Sequence, residues 1–314
     1  MQHTMKTIRI GTRGSRLALV QSEQVRDILR ARYPDVAFEL VVIKTTGDKI
    51  LDAPLSKIGD KGLFTKEIEK ELLDGSVDLA VHSMKDMPTE LPKGLAIGAV
   101  TRRMNPLDLF ISRSGKRLGD LKKGDTVATG SLRRKAQLRA FMPGLNIIDM
   151  RGNVESRIKK MMNNPDIDGI VLASAGVARL GFKDIMTEIV SEDLILPAVG
   201  QASLAVEIRE HDRDIETIVS PLDDRDSRVA IASERAFLSE LGGGCQVPIA
   251  GLARVSGDTV ALTGMVADLD GTKVFKGSAD GPVSEYDRIG RTLARKLLDE
   301  GAKKILELIY SRSW

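Results

Sequence analysis

The sequence predicts an α/β fold in two lobes, followed by a small α+β domain. Three observations carry that prediction. Short β-rich runs alternate with helix-period segments through most of the chain. Two breaks, at Asn105-Pro106 and Leu196-Pro197-Ala198-Val199-Gly200, interrupt the alternation. From about Asp223 consecutive strands replace it.

Thr7–Ile10 reads as a strand, and 15–32 as a helix with Leu17, Val25, Ile28 and Leu29 on one face. Ala37–Lys44 is a second strand, 64–74 a helix stopped by Gly75, Leu79–Val81 a buried strand and Ala96–Val100 another. After the first break come the strands Leu109–Ser112 and Thr126–Ala128, a helix from about Leu132, the strand Asn146–Asp149, the helix 154–162 and the apolar strand Ile170–Ala173. Such alternation predicts parallel sheets covered by helices on both faces. After the second break 203–208 is one more strand. A long helix with Val229, Ala232, Ala236 and Phe237 then ends at Gly242-Gly243-Gly244, strands follow at 249–254, 259–267 and 273–277, and a last helix begins near 284.

Composition narrows the function classes. The chain has 314 residues, 42% hydrophobic and 29% charged, which is ordinary for a globular protein. No run approaches the roughly 18 apolar residues that span a bilayer, and the N-terminal segment enters a strand without an apolar signal core; the expectation is a cytoplasmic protein with no membrane partner. Cys245 is the only cysteine and the three histidines are scattered, so no metal site is expected. A net charge of +3 with 4% aromatics does not suit a nucleic-acid binder.

The polar motifs fall at strand ends, where open α/β sheets bind ligands. Gly11-Thr12-Arg13, Thr46-Gly47-Asp48 and Ser83-Met84-Lys85-Asp86 follow the first three strands. Thr129-Gly130-Ser131-Leu132-Arg133-Arg134 and Arg151-Gly152-Asn153 hold equivalent places in the second lobe. Any one of these arginines is most simply a solvated surface charge. Arg13, Lys85, Arg133, Arg134, Arg151 and Arg157 at equivalent ends instead predict a polyanionic ligand held by guanidinium forks between two domains. The loop Lys57-Ile58-Gly59-Asp60-Lys61-Gly62 reads equally as an anion-reaching lid or as a plain turn. Asp86, flanked by Lys85 and followed by Met87-Pro88, fits a catalytic acid or a stabiliser of a cation; a salt bridge is the plainer reading. His82 reads as a packed strand residue. Cys245, after three glycines, reads either as a small buried hydrophobe or as a reactive thiol.

Taken together the motifs resemble the porphobilinogen deaminase family. They are Val81-His82-Ser83-Met84-Lys85-Asp86-Met87-Pro88, Gly59-Asp60-Lys61-Gly62-Leu63-Phe64, Ser131-Leu132-Arg133-Arg134, Arg151-Gly152-Asn153-Val154, Leu196-Pro197-Ala198-Val199-Gly200-Gln201, Glu234-Arg235-Ala236 and Gly243-Gly244-Cys245-Gln246-Val247-Pro248, in that family's order from about residue 8 to about 310. The resemblance implies two doubly wound α/β lobes similar to type II periplasmic binding proteins, plus a small C-terminal α+β domain. The divisions expected are 1–103 with 201–221, 104–200 and 222–314, with lobe crossings near 101–106 and 197–202. It implies stepwise condensation of four porphobilinogen molecules into 1-hydroxymethylbilane with loss of ammonia, in haem biosynthesis, by a monomer. The same resemblance implies a dipyrromethane primer held as a thioether on Cys245.

By the same resemblance Asp86 is the catalytic carboxylate, close to the pyrrole N–H of a cationic azafulvene. Cys245, Ser83, Lys85, Thr129, Ser131, Arg133, Arg134, Arg157 and Asp48 are assigned to the cofactor, and Arg13, Lys57, Lys61, Phe64, Arg151 and Arg179 to the substrate. The basic residues would hold the acetate and propionate groups. Two positions depart from the family: Gly130 stands where many members have serine, and Ala202 where glycine is common. A non-catalytic two-lobed anion-binding protein is the rival reading. It has no need of Gly-Gly-Cys in an added domain, and an export signal would be expected of it.

Overall fold

The computed structural model describes residues 7–49, 62–182, 184–243 and 247–311. They form two compact units. The first holds the described residues through Met104 and then Ser203–Arg228; the second holds Asn105–Ala202 and the chain from Val229.

The first unit is built on a five-stranded sheet in the order β2-β1-β3-β10-β4. Its strands are β1 (Thr7–Arg13), β2 (Ala37–Ile43), β3 (Leu79–Ser83), β4 (Leu95–Val100) and β10 (Leu204–Arg209). The helices are α1 (Arg16–Arg32), the single turn α2 (Thr46–Lys49), α3 (Lys66–Leu73) and α7 (Arg213–Val219). Strand alternation sends Ile8, Ile10, Leu79, Val81, Leu204 and Val206 to a core shared with Val25 and Leu29 of α1 and Ile215 of α7. On the other side Ile68 and Leu72 of α3 cover Ile43, Val77 and Ala80. α1 starts where it does because the Ser15 side chain accepts the N–H of Ala18.

The second unit carries an equivalent sheet, β7-β6-β8-β5-β9. Its strands are β5 (Asp108–Ser112), β6 (Thr126–Ala128), β7 (Asn146–Ile148), β8 (Gly169–Ala173) and β9 (Glu188–Ile189), with helices α4 (Leu132–Phe141), α5 (Val154–Asn163) and α6 (Ser174–Arg179). Beyond α8 (Arg225–Glu240), a three-stranded antiparallel sheet of β11 (Ile249–Ser256), β12 (Thr259–Ala267) and β13 (Val274–Pro282) is covered by α9 (Tyr286–Leu297) and α10 (Lys303–Ser311). Gly301 (φ 125°) separates these two helices, so the single C-terminal helix expected from about 284 is broken. One apolar cluster joins Ala136 of α4 and Leu196 to Ala250, Leu252, Met265 and Ala267.

The expectation of parallel sheets holds for most strands, and two run the other way. β1 runs parallel to β2 and β3, and β6 parallel to β7 and β8, but β10 is antiparallel to both of its neighbours and so is β5. The reason is connectivity. A parallel neighbour requires a crossover, usually helical. β5 and β10 are each the first strand after the chain passes from one unit to the other, with no such helix before them. Among the described residues no helix is long and apolar enough to cross a membrane, and no group of His, Cys, Asp or Glu could hold a metal ion.

Candidate active site

In the first unit three strand ends converge. Arg13 closes β1, and its Nη2 donates to Asp48 Oδ1 at 2.5 Å while its guanidinium lies 4.0 Å from the centre of the Phe64 ring. Asp48 is fixed from its other side by Thr45, whose Oγ1 donates to Oδ2 at 2.8 Å. Burial pushes the Asp48 carboxyl up, but Arg13 and Thr45 outweigh it and hold the carboxyl below its ordinary range. Gly47 permits the arrangement: a Cβ there would stand 2.2 Å from the Phe64 ring.

β3 delivers the candidate carboxylate. Met84, buried, opens a single 3-10 turn, Met84–Asp86, and Met87, also buried, follows it. The Met84 N–H donates to the Ser203 carbonyl at 3.0 Å and the Met87 N–H to the Met84 carbonyl at 3.2 Å, so the turn is pinned at both ends. Asp86 is half-buried and lines a cleft with Arg13, Gln21, Phe64, Thr65 and Ser83. Lys85, also half-buried, sits in the same turn. Ser83 and Gln21 of α1 exchange hydrogen bonds, Nε2 to Oγ at 2.9 Å and Oγ to Oε1 at 3.2 Å. Behind the turn lies a buried polar group: His82 Nε2 is 3.0 Å from Glu207 Oε2, without hydrogen-bond alignment. Glu69 of α3 is buried nearby, and burial, with the Glu207 charge adding, pushes its carboxyl up.

In the second unit Ser131 caps α4, accepting the Arg134 N–H at 3.4 Å, and its own N–H donates to Thr129 Oγ1 at 3.3 Å. Arg133 and Arg134, expected on a ligand-facing rim, are almost wholly buried, and both bind Asp108. Arg134 Nη2 lies 2.8 Å from Oδ1 and Arg133 Nη1 2.9 Å from Oδ2. Burial alone would raise the Asp108 carboxyl, but the two guanidinium charges hold it far below the carboxylate range. Arg157 Nε donates to the Gly152 carbonyl at 2.6 Å, and Arg151 packs under Gly130. A Cβ at Gly130 would already stand 3.0 Å from the Met150 carbonyl, so the serine common at that position needs a local adjustment here. Arg179 Nη2 donates to the Ala202 carbonyl at 3.0 Å, and burial pushes its guanidinium down to about 10.

The structure therefore gathers Arg13, Asp48, Phe64, Ser83, Lys85 and Asp86 in one unit, and Thr129, Ser131, Arg133, Arg134, Arg151, Arg157 and Arg179 in the other. The expectations for Lys57, Lys61 and Cys245 lie outside the described residues. Sequence reasoning did not single out Asp108, Gln201 or Gln21. An acid opening the otherwise apolar run Leu109-Phe110-Ile111 was the available signal for the first. Buried arginines around one carboxylate suit a ligand that brings further carboxylates, and Arg134 Nε is buried without a hydrogen-bond partner among the described residues. That donor set fits a primer bearing acetates and propionates.

Sequence models of two families match the chain: "Porphobilinogen deaminase, dipyromethane cofactor binding domain" over residues 8–217 and "Porphobilinogen deaminase, C-terminal domain" over 229–299. Among relatives, the porphobilinogen deaminase of Syntrophomonas wolfei is 52% identical over 96% of this chain and 98% of that one. That of Carboxydothermus hydrogenoformans is 50% identical over 97% of each. Among solved structures, the periplasmic aliphatic sulphonate binding protein SsuA from Escherichia coli aligns at 12% identity over 74% of this chain and 70% of that one, with a TM-score of 0.41.

Proposed function

The chain belongs to the porphobilinogen deaminase family, and from that premise we propose how its residues divide the work. It is a transferase of tetrapyrrole biosynthesis that condenses four porphobilinogen molecules head to tail into 1-hydroxymethylbilane, releasing ammonia, from a dipyrromethane cofactor. Bound dipyrromethane supplies the pyrrole carbon on which the product is extended.

Asp86 is the catalytic carboxylate. The observation that carries this reading is its turn, pinned at Met84 and Met87 so that a half-buried carboxylate faces a cleft shared with Arg13, Phe64 and Ser83. As the C–N bond of the substrate's aminomethyl group breaks, the electron pair leaves with ammonia and the substrate ring becomes cationic. A carboxylate accepting the ring N–H stabilises that charge, and it can take up the proton released when the ring carbon forms its new bond and rearomatises. Arg13, held between Asp48 and Phe64, offers its remaining N–H groups to a substrate carboxylate, with Arg151, Arg179, Lys57 and Lys61 serving the same role. Arg133, Arg134, Arg157, Ser131, Thr129, Lys85, Ser83 and Asp48 serve the cofactor, and Cys245 anchors it as a thioether.

For the division into 1–103 with 201–221, 104–200 and 222–314, the main apolar clusters lend support, although one small cluster bridges the second and third parts and Leu222 packs with the first. We place the enzyme in the cytoplasm, acting as a monomer without nucleic acid; the modest charge and few aromatics support the last point. The direct test is incubation of the purified chain with porphobilinogen, following ammonia and linear tetrapyrrole together. Wild type should release four ammonia per product, and Asp86→Asn, folded as wild type, should release almost none. Near-normal release by Asp86→Asn would remove Asp86 from the chemistry.

A further inference from the structure

Asp108 has no ligand role in the proposed reaction, yet it is wholly buried and approached by three side chains of the second unit. Its side chain has no exposure to solvent and opens β5, directly after the chain enters that unit at Asn105. Arg134 and Arg133 approach its two oxygens, and Gln201 Nε2 donates to Oδ1 at 2.9 Å. Each guanidinium has a second fixed point. Arg133 Nη1 donates to the Leu196 carbonyl at 2.6 Å, and Arg134 Nη1 to the Val171 carbonyl at 3.1 Å. Gln201 Nε2 also donates to the Pro106 carbonyl at 2.7 Å, so one amide ties the segment entering the unit to the segment leaving it.

We infer that Asp108, held by Gln201, is a positioning residue: it orients Arg133 and Arg134 and leaves the buried trio one positive charge in excess, for a ligand carboxylate to balance. Two guanidinium groups with side-chain exposures of 6% and 7% face a single carboxylate at 0%. A buried, uncompensated charge is costly, whereas a bound anion with aligned donors offsets it. Without Asp108 two like charges would repel in a site of low dielectric and swing away from a common direction. A second carboxylate in place of Gln201 would cancel the excess, whereas an amide donates without adding charge.

The inference rests on the assignment of Arg133 and Arg134 to the cofactor, and its test keeps the two apart. Apo-chains of wild type, Asp108→Asn, Asp108→Glu, Gln201→Met and Arg134→Leu are incubated with porphobilinogen. The fraction carrying the primer is read over time by intact mass, with circular dichroism to confirm folding. Asp108→Asn should fold and load about 10- to 100-fold more slowly, the scale of a displaced binding group. Asp108→Glu keeps the charge and should recover part of the rate. Gln201→Met, nearly isosteric, should slow loading less than Asp108→Asn, and it decides the matter if Asp108→Asn fails to fold. Loading at the wild-type rate by a folded Asp108→Asn, or by Gln201→Met in its place, would overturn the positioning role and leave Asp108 a structural ion-pair partner. If Arg134→Leu also loads normally, the assignment of the arginines to the cofactor falls instead.

Discussion

The two units handle positive charge differently. Around Asp86, Arg13 is matched one to one by Asp48 and laid against Phe64, and the pair keeps about a quarter of its side-chain surface in water. Around Asp108, two arginines share one carboxylate and almost no solvent. Under the proposed roles, the first arrangement leaves a carboxylate as the distinctive reactive group, and the second leaves a surplus cation. Chemistry through a cationic intermediate suits the first, and retention of a polyanionic primer suits the second.

The largest effect should come from breaking the first region's carboxylate. Asp86→Asn should lower kcat by about 10²- to 10⁴-fold, the range for a positioned acid–base group. Its denaturation midpoint should stay near wild type, because no packing is lost. A kcat within a few-fold of wild type in steady-state assays would erase the contrast between the units.

The next effect sharpens the difference in burial. Arg134→Leu removes one partner of a buried charge and should cost about 3 kcal/mol of unfolding free energy, besides slowing primer loading. Arg13→Leu breaks a partly solvated pair and should cost about 1 kcal/mol or less. Equal losses in urea titrations would show that the two sites are alike.

Acid stability tests the same contrast through protonation. Asp108 and Asp48 are both held below their ordinary value of 3.8, so the folded state binds fewer protons there than the unfolded chain. Their contribution is present above about pH 4 and is lost as pH falls further. Asp108→Asn should flatten that acid limb more than Asp48→Asn does. Glu69 behaves in the opposite sense. Its carboxyl is raised above 4.5, so its contribution is complete below that value and is lost as pH rises through the raised one. Glu69→Gln should therefore remove a loss of stability on the alkaline side of pH 4.5. Unfolding free energies measured from pH 3 to 8 would separate the two signs, and a parallel shift at every pH would refute both.

The smallest effect is local. Ala202 sits at φ 84°, a left-handed conformation that costs an L-residue roughly 1 kcal/mol. Ala202→Gly should stabilise the chain by between zero and about 1 kcal/mol, because the greater freedom of glycine in the unfolded chain offsets part of the relief. A clear destabilisation would mean that the methyl group, only 7% exposed, contributes more by packing than it costs in strain.

The strand-end clusters were legible because each is local: a strand pattern, a glycine or proline, then polar residues. The placing of Ser83-Met84-Lys85-Asp86 at the end of β3, and of Ser131 just before α4, follows from that kind of signal. Asp108 did not, because its partners lie 25, 26 and 93 positions away and only the fold brings them together. The seat of Arg13 on Phe64 is hidden for the same reason. The antiparallel course of β5 and β10 was missed because strand runs carry no sign of direction. The burial of Arg133 was missed because arginine in an isolated motif reads as exposed.

On the proposed reading, the chain builds its product on a primer fixed to Cys245. Intact mass under denaturing conditions, wild type beside Cys245→Ser, tests it most directly. Wild type should carry an excess of two linked pyrrole units, growing by single pyrroles as porphobilinogen is added, and the variant should carry none. A wild-type chain that stays unmodified through prolonged incubation, or a Cys245→Ser chain that carries the same excess, would contradict it.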